Sequence, residues 1–296
     1  MQRFQIGAIT DEFSPDLNIA APAMKELGMV GAELRVVAVN GSAPKNIMDL
    51  TDDELSAAMD VLTANELKVI SIATPLLKCT LPNGPELDSR FQQDIFNSKH
   101  TFEDQPRLTN RAFQIAKKTG AKIIRVFSYW RTVEPNEIFE QIVDALQDLS
   151  DKAADNGLII GLENEHACNI GTAHETARVL AAIDHPNLQV VWDPANAYVA
   201  GEEPFPTGYY LLDPKRIAHI HAKDCTLDGH KALWCELGMG GIDWKGQLSA
   251  LARDGYNGYI HIETHWPGPG GDKFEASRIC GRNLMEMVSS LGKVAT

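Results

Sequence analysis

The chain has 296 residues, which is long enough for one barrel-sized domain or two smaller ones. Of these residues, 44% are hydrophobic and 23% are charged, a composition typical of globular proteins. Acidic residues outnumber lysines and arginines by 40 to 27, and the resulting net charge of −13 argues against binding to nucleic acid or an anionic membrane. The five cysteines include no CxxC pair, which argues against a disulfide framework or a thiolate zinc site and predicts a reducing, cytoplasmic location.

The opening segment MQRFQIGAIT resembles a strand and lacks the basic and apolar regions of a signal peptide. No later apolar run reaches membrane-spanning length. We therefore expect a protein that is neither secreted nor embedded in a membrane.

Short apolar runs rich in β-branched residues alternate along the chain with longer segments of helical period. Helices are predicted at residues 16–28, at 51–66 with Thr51 as the N-cap, and at 137–157 with a glycine at the end. The eight candidate strands are FQIGAIT from Phe4, GAELRVVAV from Gly31, KVISIAT from Lys68, AKIIRVF from Ala121, LIIGLENEH from Leu158, LQVVWD from Leu188, RIAHIHAKD from Arg216 and GYIHIET from Gly258.

Strict alternation of strand and helix implies parallel strands joined by right-handed crossovers. Eight such units in this length favour an α/β protein with a single (β/α)₈ TIM barrel over residues 1–296. An open doubly wound sheet is the alternative, although no G-x-G-x-x-G follows the first strand. Long Pro- and Gly-rich segments follow strands at about 75–102, 194–214, 223–242 and 264–272, where a barrel keeps its chemistry.

Four consecutive predicted strands finish on metal-competent side chains, namely Glu163, Asp193, His221 and Glu263. A carboxylate at a strand end is by itself more often a helix N-cap or a solvated loop residue, but a closed barrel brings all four side chains to one mouth. Three carboxylates in one pocket repel one another unless a cation lies among them, so the pattern predicts one divalent metal ion. Oxygen ligands with one imidazole suit Mn²⁺, our first expectation, and also Mg²⁺, Co²⁺ or Zn²⁺.

These motifs resemble the sugar isomerase/epimerase superfamily with the xylose-isomerase-like barrel, over essentially the whole chain. The superfamily includes ketose 3-epimerases, hydroxypyruvate isomerase, inosose dehydratase and barrel-type abasic-site endonucleases. The resemblance implies that Glu163, Asp193, His221 and Glu263 bind the metal. Because HAKD resembles the H-L-K-D form of the strand-seven motif, it assigns the ligand role to His221, while His219 is predicted to fill the barrel interior or support the site from beneath.

Two departures from the superfamily pattern limit what the resemblance implies about substrates. Many epimerases carry a histidine where this chain has Asn196, and E-x-N-R after the strand-seven histidine where this chain reads AKDCTLD. The substrate contacts of those groups therefore do not transfer. The endonucleases need further histidines after strands two and three, and the loops after Val39 and Thr74 begin without any.

The resemblance implies that Glu163 and Glu263 act as acid and base on a proton next to a metal-bound carbonyl. The expected enzyme is a metal-dependent isomerase or epimerase of a ketose or keto-sugar, and the expected partner is a small sugar. The alternative is a lyase or dehydratase acting on a keto-sugar, keto-glycoside or inosose at the same site. An abasic-site endonuclease and an inactive binding protein are less favoured, and a homo-oligomer is compatible with the sequence.

The remaining candidates lie close to these strand ends, and Lys223, His166, Arg125 and Trp266 are the predicted substrate contacts. Lys223 or Asp224 is expected to donate a proton or anchor a substrate hydroxyl. Arg125, like Glu33 and Arg35, either reaches the mouth or belongs to a buried ion-pair layer. Asn164 and His166 are expected to orient Glu163. Tryptophans 130, 234 and 266 lie in three different loops, where each either stacks on a sugar or packs on the barrel rim.

Overall fold

A computed structural model describes residues 4–82, 84–85, 100–229 and 231–291. Its centre is a closed barrel of eight parallel strands, each hydrogen-bonded to its neighbours along the chain. The last strand, Tyr259–Ile262, closes the ring by pairing with the first strand, Gln5–Ile9, with Gln5 opposite Tyr259 and Ala8 opposite Ile262. The predicted (β/α)₈ barrel is confirmed and the open sheet is excluded. The strands are β1 Gln5–Ile9, β2 Gly31–Leu34, β3 Lys68–Ala73, β4 Ile123–Val126, β5 Ile159–Glu163, β6 Leu188–Trp192, β7 Ile217–Ala222 and β8 Tyr259–Ile262.

Helices surround this barrel, and their ends follow ordinary capping chemistry. The Thr51 hydroxyl accepts from the Glu54 amide while the Glu54 side chain accepts from the Thr51 amide, and Gly157 ends its helix with a φ of 63°. The helices are α1 Leu17–Glu26, α2 Asp52–Ala64, α3 Gln105–Thr119, α4 Phe139–Asn156, α5 Ala173–Ala182, α6 Pro194–Val199, α7 Trp244–Arg253 and α8 Lys273–Ser290. The three predicted helices correspond to α1, α2 and α4.

Two antiparallel ribbons add to the carboxyl-terminal rim of the barrel. Val36–Val37 pairs with Lys45–Asn46 after β2, and Asp224–Asp228 pairs with Lys231–Cys235 after β7. The second ribbon occupies much of the long segment predicted at 223–242. The segment predicted at 75–102 lies partly outside the described residues, which omit 83 and 86–99.

The interior of the barrel contains a buried polar layer beneath this rim. Glu33, His219 and His261 are all 0% exposed within it. A side chain at Gly31 would place its Cβ 2.6 Å from Nε2 of His261, and one at Gly7 would collide with the same ring. These two glycines therefore make room for a histidine in the middle of the barrel. Among the described residues, no helix is both long and apolar enough to span a membrane.

Candidate active site

The four side chains that end strands β5 to β8 converge at the carboxyl-terminal mouth of the barrel. Glu163 is the last residue of β5, His221 lies next to the end of β7, and Asp193 and Glu263 directly follow β6 and β8. All four are buried, and one ligand atom from each lies within 4.8 Å of the other three. Parallel strands whose ends meet at one rim explain why residues up to 100 positions apart share one centre.

Each of these four residues is held by a protein partner through one atom, which leaves another atom free to face the centre. The partners lie on strands, on loops and at a helix terminus, so the arrangement is built by the whole rim. The contacts are Arg125 Nη1 to Glu163 Oε2 at 2.9 Å, Arg35 Nη1 to Glu263 Oε1 at 3.0 Å, the Asn196 amide to Asp193 Oδ1 at 2.9 Å, and Glu33 Oε2 to His221 Nε2 at 2.9 Å.

The atoms that face the centre form an oxygen-rich donor set with one imidazole nitrogen. Nδ1 of His221 lies 2.9 Å from Oε1 of Glu163 and 3.7 Å from Oε2 of Glu263. Nζ of Lys223 lies 2.8 Å from Oδ2 of Asp193 and 2.6 Å from Oε2 of Glu263. Three carboxylate oxygens and one imidazole nitrogen suit a hard or borderline divalent ion, so the residues present fit a metal centre.

Protein cations offset the three carboxylates of this centre. Arg35, Arg125 and Lys223 are buried, and each contacts at least one of the carboxylates. These charges weaken the sequence-based argument that repulsion by itself requires a metal ion, although Arg35 is shared with Asp11 and Glu12. The case for an ion rests instead on the convergence of donor atoms.

Burial and these charges together set the ionisation of the centre. Burial disfavours the charged form of Glu263, but Lys223 and His265 outweigh it and hold the pKa of Glu263 well below its ordinary value. Burial likewise opposes the charge on Lys223, yet Asp193 and Glu263 hold its pKa well above the ordinary value. The pKa of Asp193 is raised to about 6, mainly by burial, with Lys223 acting in the opposite direction. At neutral pH the rim therefore combines ionised carboxylates with a permanent ammonium.

Beneath the centre, Glu33 links two histidines of β7. Its Oε2 lies 2.9 Å from Nε2 of His219 and 2.9 Å from Nε2 of His221. His219 is buried in the barrel interior, where its ring contacts Glu33. The interaction between Glu33 and His221 escaped sequence reasoning, although a lone carboxylate in the otherwise apolar start of β2 was its signal.

The side chains of Asn164 and His166 contact groups other than the carboxylate of Glu163. Oδ1 of Asn164 accepts from the Asp193 amide at 2.9 Å, and its Nδ2 donates to the Asp193 carbonyl at 2.8 Å. Nδ1 of His166 lies 2.9 Å from Oε1 of Glu165 and 3.4 Å from Oδ1 of Asn196. The side chain of Asn164 thus holds the backbone at Asp193 and that of His166 contacts Glu165 and Asn196, and orientation of Glu163 by either residue stays a prediction.

Asp224 has a structural role in the loop after β7. Its carboxylate accepts hydrogen bonds from four backbone amides, which organise the chain after the second ribbon. Of the two neighbours considered for chemistry, only Lys223 faces the ligand centre. The amides that bind Asp224 are those of Cys225, Gly238, Gly240 and Ile242.

The three loop tryptophans have different positions relative to the mouth. Trp130 is only 3% exposed and packs in a small cluster with Phe127. Trp266 is half-buried and packs against the main core. Trp234 lies on the ribbon after β7, with its ring centroid 4.6 Å from that of His265 and 5.5 Å from Nζ of Lys223. Of the three rings, that of Trp234 lies against His265 and Lys223 of the site.

Lys78 is a further buried cation of the rim that the sequence reasoning did not single out. Its Nζ lies 4.0 Å from Oε2 of Glu165 and 4.6 Å from the ring centroid of Phe127. A lysine that follows an apolar pair in the loop after β3 was the available signal. Lys78 and Glu165 extend the polar rim beyond His166.

Comparison with known proteins identifies a family of barrels that this chain resembles. Residues 22–283 match the family model described as xylose isomerase-like TIM barrel. An inosose dehydratase of Lacticaseibacillus casei is 25% identical over 152 residues, which cover 46% of this chain and 50% of that protein. An inosose dehydratase of Geobacillus thermodenitrificans is 24% identical over 223 residues, covering 64% of this chain and 73% of that protein. The match thus spans only half the length of the first relative.

Solved structures share the barrel at low sequence identity. The IolI protein with a bound zinc atom has a TM-score of 0.74 at 17% identity, covering 97% of this chain and 99% of that one. The probable 3-DHS dehydratase AsbF from Bacillus anthracis has a TM-score of 0.69 at 16% identity, with 95% and 99% covered. The 3-keto-D-glucoside 4-epimerase YcjR from E. coli has a TM-score of 0.65 at 17% identity, with 98% and 99% covered. By the match over residues 22–283, the chain belongs to the xylose isomerase-like TIM barrel family.

Proposed function

We propose that this chain is a divalent-metal-dependent enzyme that removes a proton from the carbon next to the carbonyl of a keto-sugar or cyclic keto-polyol. The convergence of Glu163, Asp193, His221 and Glu263 within 4.8 Å carries the proposal. An ion held by these residues would polarise the substrate carbonyl and make the neighbouring C–H more acidic. Mn²⁺ is the first candidate, with Mg²⁺, Co²⁺ and Zn²⁺ as alternatives.

The protein side chains supply the proton transfers in this proposal. Glu163 and Glu263 each place a carboxylate oxygen within 3.7 Å of Nδ1 of His221, so one carboxylate takes the proton from carbon while the other is available to return one. Lys223 keeps its proton at neutral pH, because Asp193 and Glu263 hold its pKa well above the ordinary value against the effect of burial. It therefore acts as a fixed hydrogen-bond donor to a substrate oxygen.

Loss of water is the outcome that the relatives favour, since both inosose dehydratases catalyse a dehydration by name. The C–H bond breaks and its proton passes to a carboxylate. The electron pair forms a C=C bond as the C–O bond to the β-hydroxyl breaks, and the hydroxyl leaves as water with a proton from His166. Burial lowers the pKa of His166, but the adjacent Glu165 outweighs burial and raises it, which suits His166 to act as an acid.

Epimerisation or isomerisation is the second candidate, and the pair of carboxylates supports it. Return of a proton by the second carboxylate to the opposite face of the same carbon inverts that carbon. The solved 3-keto-D-glucoside 4-epimerase shows that this barrel also occurs in an epimerase. The two outcomes differ only in whether a hydroxyl leaves before the proton returns.

Turnover in D₂O distinguishes these outcomes. Inososes, keto-glycosides and free ketoses are incubated with the protein and Mn²⁺, and products are followed by NMR. We expect release of water to an unsaturated product, whereas deuterium at the α-carbon of an intact skeleton would assign an epimerase or isomerase. Glu163→Gln and Glu263→Gln should each lower kcat by about 10²- to 10⁴-fold. Retention of near wild-type kcat by both variants would rule out the proton-transfer mechanism.

His166→Gln separates the two steps of the dehydration. It should slow the release of water while exchange of the α-proton for deuterium continues, because the residues that remove that proton are unchanged. If His166→Gln slowed the exchange of the α-proton and the release of water equally, His166 would not be the acid.

A further inference from the structure

We propose that Glu33 is the positioning residue of the metal centre: its carboxylate holds His221 through Nε2 and thereby directs Nδ1 toward the other three ligands. The inference rests on the proposed metal-dependent function. It assigns a role to a buried residue of β2 that lies outside the set of four proposed ligands.

The contact geometry of His221 supports this role. Oε2 of Glu33 lies 2.9 Å from Nε2 of His221, and the other ring nitrogen lies 2.9 Å from Oε1 of Glu163. Glu33 and His221 are both 0% exposed, so water does not compete for this hydrogen bond. An imidazole that donates from Nε2 to a carboxylate presents the lone pair of Nδ1 on its opposite edge, which is the edge that faces the ligand centre.

Glu33 is itself held in place by the polar layer inside the barrel. The same Oε2 lies 2.9 Å from Nε2 of His219, and Oγ of Ser71 donates to Oε1 at 3.3 Å. The ring of His219 packs edge-on against that of His261, with centroids 4.3 Å apart. The carboxylate is thus held by residues of β3 and β7 inside the barrel.

This polar layer costs free energy of folding that an apolar core would not cost. Burying a carboxylate among imidazoles requires every hydrogen bond to be well placed, and an apolar layer would pack more simply. The two glycines Gly7 and Gly31 leave room for the ring of His261 on the same level. Removing a carboxylate that supports a metal ligand in this way typically lowers metal affinity by about 10- to 100-fold.

Affinity for Co²⁺ alone tests the inference without any substrate. Glu33→Gln keeps the size of the side chain but removes its charge, and it should weaken Co²⁺ binding in calorimetry by about 10- to 100-fold and alter the visible spectrum of the bound ion. Glu175→Gln is the matched control, because it makes the same change at a half-buried carboxylate that pairs with Arg131 and caps α5. It should change the affinity by no more than about threefold. Glu33→Gln with wild-type affinity and an unchanged spectrum would overturn the inference.

The wild-type protein provides a second test that does not depend on the folding of any variant. Long-range ¹H–¹⁵N NMR of the Zn²⁺-loaded protein should show His221 with a proton on Nε2 and with Nδ1 bound to the ion. A proton on Nδ1 would overturn the inference, as would failure of the wild-type chain to bind Zn²⁺ or Co²⁺. Metal binding that depends on Glu33 in a protein that transforms no sugar would support the positioning role and overturn only the proposed reaction.

Discussion

The ammonium of Lys223 lies 2.6 Å from Oε2 of Glu263, inside the set of predicted metal ligands. The same nitrogen lies 2.8 Å from Oδ2 of Asp193, and the three side chains are at most 5% exposed. A protein cation therefore faces the same oxygens that would bind an ion. The position makes Lys223 a counter-charge for the ligands.

Replacing Lys223 should change the stability of the protein and its response to metal. In Lys223→Met the buried Asp193 and Glu263 lose a shared counter-charge, and we expect the free energy of unfolding in EDTA to fall by about 3–5 kcal/mol. A saturating divalent ion should then stabilise the variant more than the wild type, because it restores the missing positive charge. Urea unfolding with EDTA and with Mn²⁺ measures both effects.

The matched control for that measurement is Lys25→Met. Lys25 pairs with Glu66 at 2.7 Å on the surface, where both side chains are largely exposed. Its loss should cost no more than about 1 kcal/mol. If Lys223→Met in EDTA were as stable as Lys25→Met, the electrostatic role assigned to Lys223 would be refuted.

Trp234 should contribute to substrate affinity from the ribbon after β7. Its ring contacts His265 and lies above the ammonium of Lys223, so it is placed to stack on the C–H face of a sugar. Trp234→Ala should raise KM with little change in Co²⁺ affinity. Leu233→Ala is the control, because Leu233 is the preceding residue of the same strand and is 44% exposed. Equal KM values for the two variants would exclude this role.

The stability of the barrel should fall in acid partly through His261. Burial, together with the nearby His219, lowers the pKa of His261 from 6.5 to about 3. Between these values the unfolded chain binds a proton that the folded chain excludes, so the contribution is complete above about pH 6.5 and is lost as the pH falls toward 3. The expected loss from this residue is about 1.4 kcal/mol per pH unit in that window.

His261→Gln isolates this contribution, because glutamine is close in size and does not titrate. Urea unfolding in EDTA between pH 7 and pH 4 should show a shallower acid loss for the variant than for the wild type. Parallel curves would mean that the pKa of His261 does not differ between the folded and the unfolded protein.

The sequence by itself determined the barrel and the four converging side chains. Both follow from local patterns, since each strand is a short apolar run, each helix carries its own caps, and parallel connection places every strand end at the same rim. Glu163, Asp193, His221 and Glu263 could be predicted to meet because each ends a strand. The position along a strand is a local property that does not require knowledge of the neighbours.

Only the tertiary structure decided which groups support those four residues. Glu33 and His221 are 188 residues apart, and Arg35 and Glu263 are 228 apart, yet closure of the barrel brings each pair within hydrogen-bond distance. Asn164, adjacent to Glu163 in the chain, instead binds the backbone of Asp193 on the next strand. Adjacent side chains of a strand point to opposite faces, so the partners of a ligand come from other strands, including strands across the barrel, and their identity follows from register and closure rather than from any local pattern.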